Sequence, residues 1–230
     1  MTTIGILGAG QAGSTLARAS VAAGYTVVIA NSRNPETLTG LVRELGPLAS
    51  AAYATDAAAA ADVAFLAFPY SPDDLLPAEE LAGKIVIDNN NYMTWRDGHF
   101  LEVDSGLKTI HELRQEQLPA SKIVKAFTHV QFHARAQIRV PSDTQPALIR
   151  LARPAGAADR KALVVSSDYP EAVEFVTDFY NDLGFDAVDN SPLKESWRSA
   201  PGAPMWRHHV DGQSREELIR NLQLARRPGR

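Results

Sequence analysis

The sequence contains no cysteine, which excludes a disulfide framework and thiolate metal sites and fits a reducing compartment; a cytoplasmic location is expected. Redox chemistry in such a chain has to come from a bound cofactor. No apolar run approaches the ~18 residues that span a bilayer, and no basic segment precedes "TTIGILGAG" at the N-terminus, so neither membrane insertion nor export is expected. Charge of one sign is scarce too. The 23 Lys and Arg stand against 27 Asp and Glu, a formal net charge of -4 with no like-charge block, which argues against nucleic acid as a partner. Apolar content is what the chain has in quantity: 45% of 230 residues, enough to bury a core of enzyme size.

That apolar content comes in short runs separated by helical patterns. "TIGIL", "YTVVIAN", "DVAFLAFPY", "KIVIDNNNY", "KIVKAFTHV", "KALVVSSD" and "FDAVD" read as strands. Between them, Gln11 to Ala23 reads as a helix stopped by Gly24, and "NPETLTGLVRELG" as one opened by Asn34 and Pro35 and closed by Gly46. Asp56 is placed to cap a short Ala-rich helix, and "YPEAVEFVTDFYNDLG" reads as another. Strands alternating with helices predict an α/β, Rossmann-like, doubly wound parallel sheet. The expected organisation is a single domain, 1–190, followed by an irregular or helical C-terminal extension, 191–230, that makes dimer or active-site contacts. Because ligands of such sheets bind at the carboxyl ends of the strands, the predicted rim is Gly8 to Gly13, Asn31 to Arg33, Phe68 to Tyr70, Asp88 to Tyr92 and Thr128 to His133.

On that rim, "GAGQAG" fits G-x-G-x-x-G after a strand and before a helix, the context that gives the pattern meaning. Gly8 would permit a tight turn, Gly10 close approach of a pyrophosphate, and Gly13 helix–strand packing, with Gln11 and Ala12 between them at a helix N-terminus. An NAD-binding protein offers a carboxylate to the ribose about 20 residues on. Here "IANSRNPET" places Asn31, Ser32 and Arg33 at that point, with no acid before Glu36. A carboxylate would repel a 2′-phosphate, whereas a hydroxyl and a guanidinium fork bind one, so NADP is expected over NAD.

The stretches "IGILGAGQAGSTLARASVAAGYTVVIANSR", "KIVKAFTHV" and "ALVVSSDYPEAVEFVTDFYNDLGFDAVDNSPL" resemble the NADPH-dependent F420 reductases, also called F420-dependent NADP oxidoreductases, over roughly residues 2 to 193. The resemblance implies a compact Rossmann domain that binds NADPH at the glycine turn and at Ser32 and Arg33, and it implies a homodimer. It also implies that the strand "KIVKAF" helps form the deazaflavin side of the site, although Thr128 stands where the family usually has Asn.

The expected chemistry is hydride transfer between NADP(H) and a deazaflavin (F420) or flavin-like acceptor, in which the protein mainly orients two rings. Phe68, Pro69, Tyr70, Asn89 and Asn90 are expected beside the nicotinamide half, and Lys125, Phe127, Thr128 and His129 beside the acceptor. If the acceptor were instead a small carbonyl or imine metabolite, a proton donor would be needed, with His129 or His133 placed to serve. A third reading is an NADP(H)-sensing protein without turnover. His129 and His133 are four apart, but they begin in a strand and lack the Glu of a metalloprotease motif, so no metal is expected. His208 and His209 read as a solvated tail, and "SREELIRNLQLARR" as an amphipathic helix.

Overall fold

The computed structural model describes residues 1–133 and 145–227. Eight strands form one sheet in the order β3-β2-β1-β4-β5-β6-β7-β8. They are β1 (Thr3–Leu7), β2 (Thr26–Ala30), β3 (Ala49–Ala51), β4 (Val63–Leu66), β5 (Ile85–Asp88), β6 (Lys122–Lys125), β7 (Ala162–Ser167) and β8 (Asp186–Asp189). The order doubles back between β1 and β4, so the crevice of a Rossmann-like fold opens above those two strands. The principal helices are α1 (Gln11–Ala22), α2 (Thr39–Leu45), α3 (Ala54–Ala60), α7 (Ile110–Gln117), α9 (Pro170–Asp182) and α10 (Arg215–Leu224). Single-turn helices α4 (Ala78–Leu81), α5 (Thr94–Asp97), α6 (Leu101–Asp104) and α8 (Ala147–Arg150) lie in the connections.

Strand alternation sorts the core onto two faces. Ile4, Ile6, Val63, Phe65 and Ile87 join Leu16 and Ala17 of α1 and Val176, Phe179 and Tyr180 of α9. Leu7, Ala64, Leu66 and Val86 join Leu81 of α4 and Leu118 beyond α7. Because both faces are covered, the strands read as continuous apolar runs rather than alternating ones.

Two expectations need correction, and one strand has no counterpart among them. The sheet is mixed, not all parallel: β7 pairs antiparallel to β6, Val124 facing Ser167 and Lys125 facing Ser166, and β8 follows β7 in parallel. After β6 the chain runs along the rim, where Thr15 Oγ1 of α1 donates to the Phe132 carbonyl at 3.2 Å. It therefore enters β7 from the rim side, running against β6. Strand β3, only "ASA", is a three-residue edge strand paired to β2; its length and small side chains leave no periodicity to read. The second correction is that the cap of α3 is Tyr53, and Asp56 lies in the first turn. The C-terminal segment is folded onto the sheet, with Met205, Leu218 and Leu222 buried against Ala162, Val164 and Val188. Helix α10 starts at a capping box in which Ser214 and Glu217 bond each other's backbone N–H at 3.2 and 2.8 Å.

Candidate active site

Gly8, Gly10 and Gly13 each lack a side chain for a different reason. Gly8 has φ 107°, and a Cβ there would lie 2.8 Å from the Ala67 carbonyl oxygen. A Cβ on Gly13 would come within 1.8 Å of the Gly8 oxygen. The turn and the helix–strand contact explain both. Gly10 has no such internal reason: its φ is -72°, and nothing lies within 4 Å of where its Cβ would stand. It is the N-cap of α1, a twelve-residue helix with no side-chain cap. Open space in front of unclaimed N–H groups at a helix N-terminus is what the close approach of a phosphate requires. These residues fit the pyrophosphate of a dinucleotide.

Beyond β2, Asn31 Nδ2 donates to Thr37 Oγ1 at 2.8 Å, and its Oδ1 accepts from the Arg33 backbone N–H at 2.9 Å. Both ends of the amide are used inside the loop, so Asn31 shapes it. Ser32 and Arg33 are left exposed. They line a cavity of about 550 Å³ together with Gly8, Gly10, Leu38, Phe68 and Leu76.

A second cavity of about 480 Å³ adjoins it, and Ala67 and Phe68 line both. Its walls are Ala12, Pro69, the amides Asn89, Asn90 and Asn91, Met93 and Arg96, then Phe127, Thr128, Val130, Gln131, Phe132 and His133, and finally Trp206 and His209. The two together make a groove across the strand ends at the switch point. Phe127 turns the chain over this rim. Its φ of 58° is outside the strand region, in a conformation costly for a non-glycine residue. The Tyr180 hydroxyl accepts its N–H at 2.8 Å, and the rings of Phe65, Phe179 and Tyr180 pack on it at 4.7–5.7 Å.

Arg114 of α7, fully buried, braces the opposite side. It bonds Asp74 at 3.0 Å, Gln117 at 2.6 Å and Asp88 at 3.3 Å. Its guanidinium lies 5.6 Å from the Phe68 ring centroid and 4.9 Å from that of Tyr70. Burial pushes the Asp88 carboxyl above its ordinary range, partly offset by Arg114. Helix α7 opens on a Thr109–Glu112 capping box, a T-x-x-E signal readable from sequence, but the pairing of Arg114 with Asp88 and Asp74 spans 26 and 40 residues.

Several expected residues stand elsewhere. Tyr70 packs edge-on against Phe100 at 5.4 Å and under Arg114, outside the groove lining. Lys125 is buried and points into a separate cavity, donating to the Ser196 carbonyl at 2.7 Å. His129 is buried, does not line the groove, and faces the backbone of Ala162. Burial and the nearby Lys125 hold its imidazole down at about 3, so it is neutral and a poor proton donor. His133 is exposed at the groove mouth with Nδ1 against Gln11 Oε1. His209, expected in a solvated tail, lines the groove, stacked on Trp206 at 5.5 Å, and its carbonyl accepts the Gln131 N–H at 2.9 Å. No local pattern in "PMWRHH" marks that docking; the aromatic content was the one hint.

A family model described as NADP oxidoreductase, coenzyme F420-dependent, matches residues 3–92, the stretch from β1 to the loop after β5 that supplies the glycine turn, Ser32, Arg33 and Phe68. The Escherichia coli K12 protein YjhV is 40% identical over 53 residues, 23% of this chain, and the chain covers 39% of that curated relative's length. A hypothetical protein of Sinorhizobium meliloti is 31% identical with a TM-score of 0.67, over 88% of this chain and 91% of that one. A candidate F420-dependent NADP-reductase of Arthrobacter sp. FB24 shares the fold at 24% identity and a TM-score of 0.67, over 85% of this chain and 87% of that one. Glycine turn, switch-point groove and the match of residues 3–92 to the F420-dependent NADP oxidoreductase family model converge on an NAD(P)-dependent oxidoreductase.

Proposed function

We propose that the chain transfers hydride between NADP(H) and a deazaflavin (F420) or flavin-type acceptor. Gly8 to Gly13 and the N-terminus of α1 would hold the pyrophosphate, and Ser32 with Arg33 the 2′-phosphate. When bound, NADPH supplies the hydride. The protein's part is to present two planar rings to each other and keep water out. Phe68 lines both cavities, Asn89 and Asn90 line the second, and there Phe127, Thr128 and the Trp206–His209 stack would wall the acceptor side.

The observation that carries this reading is the chemistry of that acceptor cavity. Its lining is mostly aromatic, apolar and amide, with Arg96 its one fixed charge and no carboxylate, lysine or tyrosine among the described residues. Such walls suit ring-to-ring transfer, which needs little acid catalysis. Reduction of a small carbonyl or imine is the second reading, favoured by the imidazoles of His133 and His209 at the same cavity. A homodimer belongs to the proposal, and analytical ultracentrifugation tests it separately.

The deciding assay follows NADPH absorbance with F420, FMN, FAD or a cyclic imine as acceptor. Oxidation with F420 or a flavin is expected. Oxidation with the imine alone would favour the second reading, and tight NADPH binding with turnover of none of the four would sink both.

A further inference from the structure

We propose that the cavity enclosed by α7, the end of β5 and the C-terminal segment is a second binding site, separate from the nucleotide groove, for a small organic anion with a planar apolar body. Its volume of about 550 Å³ falls in the range of small-molecule sites, ~300–1,000 Å³. It lies on the other side of Asn90 and Asn91, which line both it and the groove. Val103, Ile110, Trp197, Pro201 and Leu224 give it apolar walls.

Buried polar groups gather on this cavity. His111 is 1% exposed, its ring set against the backbone of Asp88 and Asn90. The Ser196 hydroxyl and the Trp197 indole N–H, on residues that line the cavity, have no hydrogen-bond partner among the described residues. Each such group buried without a partner costs on the order of 1–3 kcal/mol, so a fold that keeps them together on a cavity has a use for them. The Trp197 indole N–H can only donate, and the Ser196 hydroxyl can donate as well as accept.

The charge of the lining is one-sided. Lys108, Lys125, Arg226 and Arg227 face a single carboxylate, Asp104. Asp104 is already bonded to Tyr92 at 2.6 Å and His99 at 2.7 Å, and Lys108 to Glu116 at 2.9 Å. Lys125, 2% exposed, uses one N–H on the Ser196 carbonyl, leaving donors for an incoming oxyanion. A carboxylate or sulfonate would meet Lys125, with the ring system between Trp197 and the apolar wall. The nucleotide site plays no part in these contacts, so this inference stands or falls apart from the proposed function.

The test uses 8-anilinonaphthalene-1-sulfonate as probe on the full chain with saturating NADP⁺ present. The expected result is saturable binding of one probe per chain that quenches indole emission, a quench absent in Trp197→Phe. Affinity should fall at least tenfold in Lys125→Met. The paired substitution Arg226→Ala with Arg227→Ala lies at the chain end and leaves the core intact, so it carries the test if Lys125→Met does not fold; it should weaken binding severalfold. Displacement by NADP⁺, absence of saturable binding, or affinity unchanged in the folded variants would overturn the proposal.

Discussion

At the scale of single residues, the three glycines of one motif separate into internal and external requirements. Gly13→Ala forces a Cβ to 1.8 Å from the Gly8 oxygen, so it should destabilise by about 1–3 kcal/mol or more through overpacking. Gly10→Ala meets nothing within 4 Å. It should keep its melting temperature within a few degrees yet lose nucleotide affinity, which paired thermal unfolding and calorimetry would reveal; retained affinity would show that no ligand approaches Gly10. Arg33→Ala should lose NADPH affinity selectively, by about 1–3 kcal/mol, the scale of a charge-assisted hydrogen bond. Equal loss for NADPH and NADH in titrations would make Arg33 a structural residue. All these residues were legible in the sequence because a turn motif is local: its meaning lies within a few residues of chain.

Elements carry the next level of the design. Helix α7 is locally specified by its capping box, but its contribution to the site runs through Arg114, which bridges Asp88 at the end of β5 and Asp74 beyond β4 while lying over Phe68 and Tyr70. Removing one partner of a buried ion pair leaves the other charge unpaired, at a cost of roughly 3–5 kcal/mol. Arg114→Ala should therefore lower the urea midpoint by that order and raise KM for NADPH, since Phe68 loses its brace. A variant as stable as the parent would show that the pair contributes nothing net. The sequence announced the helix; it did not announce the bridge, because nothing local links positions 40 residues apart.

For the whole molecule, burial biases several titratable groups toward their neutral forms, and the sign of the consequence is fixed. The folded His129 titrates at about 3 against an ordinary 6.5, so between those values the unfolded chain binds the extra proton. Stability is then complete above 6.5 and is lost as pH falls toward 3, at up to about 1.4 kcal/mol per pH unit for one histidine. Buried His111, held well below its ordinary range by desolvation, adds in the same direction. His129→Leu should give a shallower acid limb in urea unfolding between pH 6.5 and 4; an unchanged limb would mean the imidazole is not buried neutral. Lys125, pushed down to about 7 from 10.5, makes stability rise with pH across that interval. No helix among the described residues is long and apolar enough to cross a membrane.

The sequence by itself determined the alternation of buried strands and helices, the glycine turn, and the Ser32–Arg33 pair that stands where a carboxylate would select NAD. These are set by local sterics, periodicity and charge. Only the tertiary structure decided that β7 runs against β6, that Lys125 and His129 leave the groove, and that Trp206 and His209 of the C-terminal segment close it. Those outcomes depend on which distant surfaces bury each other, and apolar burial is non-directional: it states how much surface must be covered without stating what covers it.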